Sequence, residues 1–231
     1  MKRPLLVRGR GISAHMSTMV TPKRNAEEHA LTMFKIDTAN HMMEVALDQG
    51  LYRHLRFRAP GTGLYWYDII TTPGQLTIRG DMGAYVFSRS EDMLAFFENS
   101  GGRINPQYWA EKLQAQDVNS PAREYSKDIF VQHVLEEFWS SRENLENAAD
   151  VWREIREELL DEYGPAGDMS LAITAAMEFS HGGFTFYDVT DWRLTAYSHH
   201  FLYCLHAIVD GIRRYREHTA SLSLQLAGAA A

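Results

Sequence analysis

Cysteine is nearly absent from this chain of 231 residues, which contains only Cys204. A single cysteine excludes an intrachain disulfide and a cysteine-rich zinc site, and it is typical of proteins from a reducing compartment. Long apolar runs are absent as well, so the sequence predicts no membrane-spanning helix. The basic residues at 1–10 are not followed by the apolar segment that a secretory signal needs. We therefore expect a cytoplasmic protein that does not enter a membrane.

Complete catalytic motifs are also lacking. The sequence contains no HExxH zinc motif, no phosphate-binding P-loop, no Rossmann glycine pattern and no Gly-x-Ser-x-Gly nucleophile elbow. Gly182 and Gly183 follow His181 in the manner of an oxyanion loop, but such a loop needs the missing elbow as its partner. These absences favour a binding protein over an enzyme, and they predict no cofactor.

The composition is that of a globular protein with a hydrophobic core. Hydrophobic residues make up 45% of the chain and aromatic residues 12%, which is enough to build such a core. The charged residues are segregated by sign. Residues 1–24 contain six bases and no acid, and we expect them to form a flexible basic arm. Residues 136–162 contain ten acids and three bases.

The acidic segment predicts a helical surface with closely spaced carboxylates. The candidate acidic residues are Glu143, Glu146, Asp150, Glu154, Glu157 and Glu158. Acids on a helix can imitate the phosphates of nucleic acid and occupy a basic channel on another protein. The interleaved Trp139, Trp152 and Ile155 equally fit the solvated outer face of an amphipathic helix. Both interpretations stay open.

Residues 52–89 carry the strongest secondary-structure pattern. Leu55 and Phe57 alternate with polar residues, and glycine-bearing turns separate four β-rich runs at regular spacing. The connections are too short for parallel crossovers, so the strands must be antiparallel. We predict an α+β fold in which a four-stranded antiparallel β-meander packs with a predominantly helical remainder.

Helical periodicity surrounds this meander. One helix is predicted from Asn25 to a C-cap at Gly50, and another begins at Pro106 and includes Leu113. The acidic segment is predicted as a long helix that runs on or breaks once near Ser140. The expected organisation is the arm at 1–24, a helix with the meander and its following helices at 25–120, a helical region at 121–220 packed on them in one domain, and a frayed tail at 221–231.

Basic side chains collect on one side of the predicted meander. Because strand residues alternate between faces, His54, Arg56 and Arg58 should project together with Arg79. The candidate binding residues are His54, Arg56, Arg58, Arg79, Tyr65 and Tyr67. Such a surface can bind a phosphate backbone or an acidic protein surface. The alternative is that the bases pair with Asp68, Asp81 or the acidic helix, or are covered by helices.

A second group of candidate residues lies at 178–206. Carboxylate and imidazole groups that converge from separate elements are typical metal ligands. The candidate ligands of a metal-assisted hydrolase or nuclease are Glu178, His181, Asp188 and His199. Their spacing matches no metal motif, and the adjacent His199 and His200 point about 100° apart on a helix. A metal site is therefore an alternative interpretation and not the leading one.

Residues 52–112 resemble an uncharacterised family of proteins from tailed phages and prophages. The matching segments are RHLRF at 53–57, PGT at 60–62, YWYD at 65–68, TPG at 72–74, GDMG at 80–83, FSR at 87–89, DM at 92–93 and NPQYWAEK at 105–112. The family has no assigned activity, so the resemblance implies no catalytic residue. It implies an accessory phage protein that acts in the bacterial cytoplasm.

These observations lead to one functional prediction and two alternatives. The leading prediction is a non-catalytic phage protein that binds and inhibits a host nucleic-acid-processing or defence complex, in an anti-CRISPR-like or antirestriction-like role. The alternatives are the metal-assisted hydrolase or nuclease and a direct nucleic-acid-binding protein that uses the basic sheet face. The expected partner is thus a host protein or nucleoprotein complex, with nucleic acid as a further option. The sequence specifies no oligomeric state.

Overall fold

Six antiparallel strands form one sheet in the part of the chain that the computed structural model describes, residues 22–98 and 101–229. The strands lie in chain order: β1 Met42–Gln49, β2 Tyr52–Arg58, β3 Tyr67–Thr72, β4 Gln75–Gly80, β5 Gly83–Ser88 and β6 Leu113–Gln116. The α+β class is confirmed, and β2 to β5 form the expected meander. The sheet nevertheless has six strands and not the four that were predicted.

The first additional strand, β1, lies where the sequence predicted a helix. Helix α1, Pro22–Asp37, ends just before Thr38, whose Oγ1 donates a hydrogen bond to Phe34 O at 2.6 Å. β1 then pairs with β2, and Val45 lies opposite Leu55. Gly50 has a φ of +66° that suits the tight turn between β1 and β2, where we expected a helix C-cap. Pairing with β2 therefore overrides the helical spacing of residues 42 and 45.

The second additional strand, β6, replaces most of the helix that was predicted from Pro106. Helix α2, Met93–Glu98, is followed by α3, Pro106–Ala110, which is a single turn. Asn105 caps α3, since its side chain accepts a hydrogen bond from Tyr108 N at 3.2 Å. The chain then joins the edge of the sheet, where Leu113 lies opposite Phe87.

Helix α7, His199–Ala229, packs on the inner face of the sheet together with α1. The inner side chains of β2 to β5 are buried: Leu55, Phe57, Tyr67, Ile69, Leu76, Ile78, Tyr85 and Phe87. Gly211 allows α7 to approach closely, because a Cβ atom there would lie 2.5 Å from Ile69 Cδ1. The outer face of the same strands carries the residues of functional interest.

Residues 127–192 form a second hydrophobic cluster, which we call the helical lobe. Its elements are α4 Lys127–Ser141, α5 Ala148–Glu158, α6 Met169–Glu178 and the hairpin of β8 Ser180–His181 with β9 Phe184–Thr185, joined by 3₁₀ turns at Arg142–Asn144, Pro165–Gly167 and Val189–Asp191. Strands β7 Arg123–Tyr125 and β10 Thr195–Tyr197 pair where the chain enters and leaves the lobe. The acidic segment breaks after Ser141, close to where the sequence predicted one possible break.

Both chain ends differ in part from the sequence prediction. The predicted arm lies outside the described residues up to residue 21, and α1 already begins at Pro22. The tail predicted to fray continues α7 as helix to Ala229, and residues 230–231 lie outside the described part. Within residues 22–98 and 101–229, no helix combines the length and apolar character that a membrane span requires.

Candidate functional site

The outer face of the sheet carries the four basic residues that the sequence singled out. His54, Arg56 and Arg58 alternate along β2 with buried residues. The strand register places Arg56, Asp68 and Arg79 directly beside one another on β2, β3 and β4. The four bases therefore share one face, and the buried carboxylate of β3 lies among them.

Asp68 is the centre of this arrangement. Arg56 donates from Nε to Oδ1 at 2.9 Å and from Nη2 to Oδ2 at 3.1 Å, and Arg79 donates from Nη2 to Oδ2 at 2.9 Å. His54 Nε2 lies 3.1 Å from the same Oδ2 atom. Burial by itself raises the pKa of Asp68, but the interactions with Arg56, His54 and Arg79 together outweigh burial and hold that pKa below its usual value. We call these four residues the Asp68 cluster.

The bases of the Asp68 cluster remain accessible although their carboxylate is not. Asp68 has no solvent-exposed surface, whereas the side chains of Arg56 and Arg79 are 33% and 49% exposed. The Arg79 guanidinium also lies 5.8 Å from the ring centre of Trp66. One carboxylate is thus shared by two guanidinium groups and an imidazole, so the cluster keeps an excess of positive charge.

Three of the predicted binding residues behave differently from the Asp68 cluster. Tyr67 does not belong to the outer face: it is buried in the core, where its ring stacks on Phe57 at 4.6 Å. The reason is strand alternation, which sends Tyr67 inward because Asp68 points outward. Tyr65 precedes β3 with a φ of +58°, and its amide donates to Asp81 Oδ2 at 2.5 Å. Arg58 shares the outer face, but its Nη2 contacts Glu44 Oε2 at 3.4 Å and both side chains are exposed.

The candidate acidic residues lie on one edge of the helical lobe. Glu143 and Glu146 are exposed before α5, and Asp150, Glu154 and Glu157 follow at helical spacing on α5. Glu158 is exposed as well. Asp150 forms an ion pair with Arg153. These six residues form what we call the acidic face, and most of its carboxylate groups reach solvent.

An aromatic groove adjoins the acidic face where α4 ends and α5 begins. It has a volume of about 300 Å³ and is lined by Leu135, Phe138, Trp139, Arg142, Ala148, Ala149 and Trp152. Trp139 is 54% exposed, and the Arg142 guanidinium lies 4.4 Å from its ring centre. Phe138 stacks on Trp152 at 5.1 Å and forms the floor. Glu143, which contacts Arg142, lies beside this groove, whereas helical periodicity places Asp150, Glu154 and Glu157 on the side of α5 away from Ala148, Ala149 and Trp152.

The four candidate metal ligands do not come together. Glu178 ends α6, His181 lies in β8, and Asp188 has a left-handed φ of +47° in the loop before the 3₁₀ turn. His199 begins α7, and its ring lies 5.5 Å from the ring of His29 on α1. Among the residues that the structure describes, no three His, Cys, Asp or Glu side chains are arranged to hold a metal ion. The geometry therefore does not support the metal-assisted interpretation.

A further cleft of about 600 Å³ lies between α1, α2 and α7. His206 of α7 lines it, and its Nε2 lies 3.3 Å from Glu27 O of α1. Burial lowers the pKa of His206 to about 4, and Lys35 contributes in the same direction. The imidazole is therefore neutral at pH 7 and gains charge only in acid.

The aromatic groove was not identified from the sequence as a site. Trp139 and Trp152 were read as the apolar stripe of the acidic helix, and Trp152 does contact the core of the lobe. The signal that distinguishes Trp139 is its position one residue after Phe138, since adjacent side chains on a helix point about 100° apart. Asp68 was considered only as one possible partner of the basic residues.

The chain matches no protein-family model, and neither the curated proteins nor the solved structures contain a match to it. The resemblance of residues 52–112 to a phage family consequently stays a prediction.

Proposed function

We propose that the protein is a non-catalytic binding protein whose acidic face occupies a basic surface on a host nucleic-acid-processing or defence complex. The observation that carries this proposal is the row of solvent-accessible carboxylates along one side of α5. The phage-like segment supports the context of a bacterial host. The proposed outcome of binding is inhibition, because a basic channel filled by carboxylates is closed to nucleic acid.

The spacing of the acids suits this role. Asp150, Glu154 and Glu157 are three to four residues apart and therefore lie along one side of α5. Only Asp150 of these is engaged in an ion pair within the described residues, with Arg153. A row of carboxylates raises the association rate with a basic partner and contributes less to the final affinity.

The aromatic groove supplies the buried apolar contacts that carboxylates alone do not provide. Binding energy is concentrated in a few buried aromatic contacts, with charged residues around them. Trp139 is half-exposed at the rim, and Trp152 and Phe138 line the floor. A partner that fills the groove would reach the carboxylates of α5 with basic residues that extend around the helix. Charge then guides the partner, and the groove holds it.

The test is affinity capture from bacterial lysate with three versions of the full chain. The wild-type protein should recover a nucleic-acid-processing or defence protein, and it should inhibit the activity of the purified target. The double variant Glu154→Gln, Glu157→Gln should lose about tenfold or more in affinity for that target. The matched control is Glu28→Gln, Glu91→Gln, which removes the same charge from exposed positions elsewhere.

The groove is tested separately by Trp139→Ala, which leaves the charge unchanged. We expect it to weaken binding mainly by faster dissociation, whereas the charge variant should mainly slow association and lose its salt dependence. Capture of no such target, or equal capture by the two charge variants, would contradict the proposal.

A further inference from the structure

The outward side of β2 has an unusual composition that the proposed function does not use. Its outward side chains are Tyr52, His54, Arg56 and Arg58, so every one is aromatic or basic. Tyr52 is 52% exposed. The remaining outward residues of β3 and β4 besides Asp68 and Arg79 are uncharged: Ile70, Thr72, Gln75 and Thr77.

The arginines of the Asp68 cluster are held in place and still have donors to offer. Arg79 engages Asp68 through Nη2 alone, and Arg56 engages it through Nε and Nη2. Arg79 Nε and Nη1, and Arg56 Nη1, form no hydrogen bond within residues 22–98 and 101–229, and both side chains are partly exposed. A buried carboxylate that fixes two guanidinium groups reduces the side-chain entropy lost when they bind an anion. The Arg–phosphate pair is among the strongest charge-assisted contacts.

The balance of charge on this face stays positive. Three guanidinium groups, those of Arg56, Arg58 and Arg79, face two carboxylates, those of Asp68 and Glu44. Glu44 forms an exposed and therefore weak pair with Arg58 at 3.4 Å, and it also attracts Arg56 on the opposite strand.

We propose that this face binds the phosphate groups of a single-stranded nucleic acid, with Arg56 and Arg79 as the principal phosphate contacts. Alternate residues of a strand are about 6.7 Å apart, so Arg56 and Arg58 can reach successive phosphates of an extended chain. Tyr52 and Trp66 border the face and offer rings on which bases stack. A sheet face with basic and aromatic side chains fits an extended polymer, and this inference does not depend on the acidic face.

The test is fluorescence anisotropy with a labelled oligothymidylate of about twenty nucleotides. The intact protein should bind at about 50 mM salt, with affinity that falls as salt rises. Arg79→Gln and Arg56→Gln should each weaken binding about fivefold and reduce the salt slope by about one. Arg103→Gln is the matched control, because it removes the same charge at an exposed position away from the sheet; we expect a change below about twofold.

Asp68→Asn should change the affinity for the oligonucleotide in the opposite direction. It removes the competing carboxylate charge and should raise affinity for the oligonucleotide about threefold or more in protein that circular dichroism shows to be folded. A purely structural role for the cluster predicts lower stability in this variant and no gain in affinity. Inorganic phosphate should compete with the oligonucleotide only at millimolar or higher concentration. Competition at micromolar concentration would identify a site for free phosphate and would contradict the proposal that the ligand is a polymer. Lack of binding by the wild type, or equal affinity of Arg79→Gln and Arg103→Gln, would also overturn the proposal.

Discussion

Asp68→Ala should be strongly destabilising, because it removes the buried carboxylate that the bases of the Asp68 cluster share. Removing one partner of a buried charged pair costs about 3–5 kcal/mol. The guanidinium groups that lose their partner are partly exposed and can regain water, as the 49% exposure of Arg79 indicates. Solvent access reduces the expected loss of unfolding free energy to about 2–3 kcal/mol.

The assay is equilibrium urea unfolding followed by circular dichroism at pH 7, with Asp68→Asn as the conservative variant. Asparagine keeps an acceptor oxygen but no charge, so we expect it to lose about half as much stability as alanine. The folded-state pKa of Asp68 is lowered, so its contribution is present above the unfolded pKa of about 4 and is lost as pH falls through the folded value. The wild type and Asp68→Asn should therefore converge in stability below about pH 4.

Two results would refute this reasoning. One is a loss below about 0.5 kcal/mol for Asp68→Ala, which is the range of ordinary surface substitutions. The other is a gap between the wild type and Asp68→Asn that stays constant down to about pH 3. Glu91→Ala, at an exposed position, is the control and should leave stability unchanged within about 0.5 kcal/mol.

Three further predictions concern the core and its helices. Gly80→Ala should lower the free energy of unfolding in urea by about 3 kcal/mol, because the new Cβ would lie 2.8 Å from Tyr67 Cα in backbone that cannot move aside. Gly63→Ala is the control and should be neutral, since no atom lies within 4 Å of its new Cβ. Equal effects of the two substitutions would contradict the close approach at Gly80. Gly211→Ala should lower the melting temperature by a net loss of about 1 kcal/mol, since overpacking against β2 and β3 exceeds the gain in helix propensity; a raised melting temperature would contradict this. The folded-state pKa of His206 is depressed to about 4, so stability should fall by about 2–3 kcal/mol between pH 6.5 and pH 4 as the unfolded chain takes up a proton; His206→Gln should flatten that part of the pH profile, and an unchanged profile would contradict the assignment.

The meander was predictable because residues close together in the sequence specify its strands and turns. Alternation and glycine turns specify β2 to β5 without reference to distant residues, and four strands are found at those positions. β1 was missed because its residues fit two periods. Met42 and Val45 suit a helix stripe, and Val45 also suits the inner face of a strand opposite Leu55. The decision between them depends on the partner strand, which a local window does not contain.

The sequence predicted the face of the sheet from which the basic side chains project, but it did not predict their ion pairs. Alternation correctly placed His54, Arg56, Arg58 and Arg79 on one face, but the same rule excludes Tyr67, which is adjacent to the outward Asp68. The sequence did not predict that Asp68 contacts several bases, because this depends on the register of three strands. A turn longer by one residue would have moved Arg79 to the inner face, so turn geometry decides whether the cluster exists.

The two proposed contact surfaces can be separated by competition. They carry opposite charge and belong to different hydrophobic clusters, the acidic face to the helical lobe and the Asp68 cluster to the sheet. If the acidic face imitates nucleic acid, an oligonucleotide must compete with the protein for its target, because both need the same basic surface. If the sheet instead holds a nucleic-acid strand beside the target, the oligonucleotide would strengthen the complex, and Arg79→Gln would reduce that gain while Glu154→Gln would not. The sign of the oligonucleotide effect thus decides which surface dominates, and the two substitutions report on them independently.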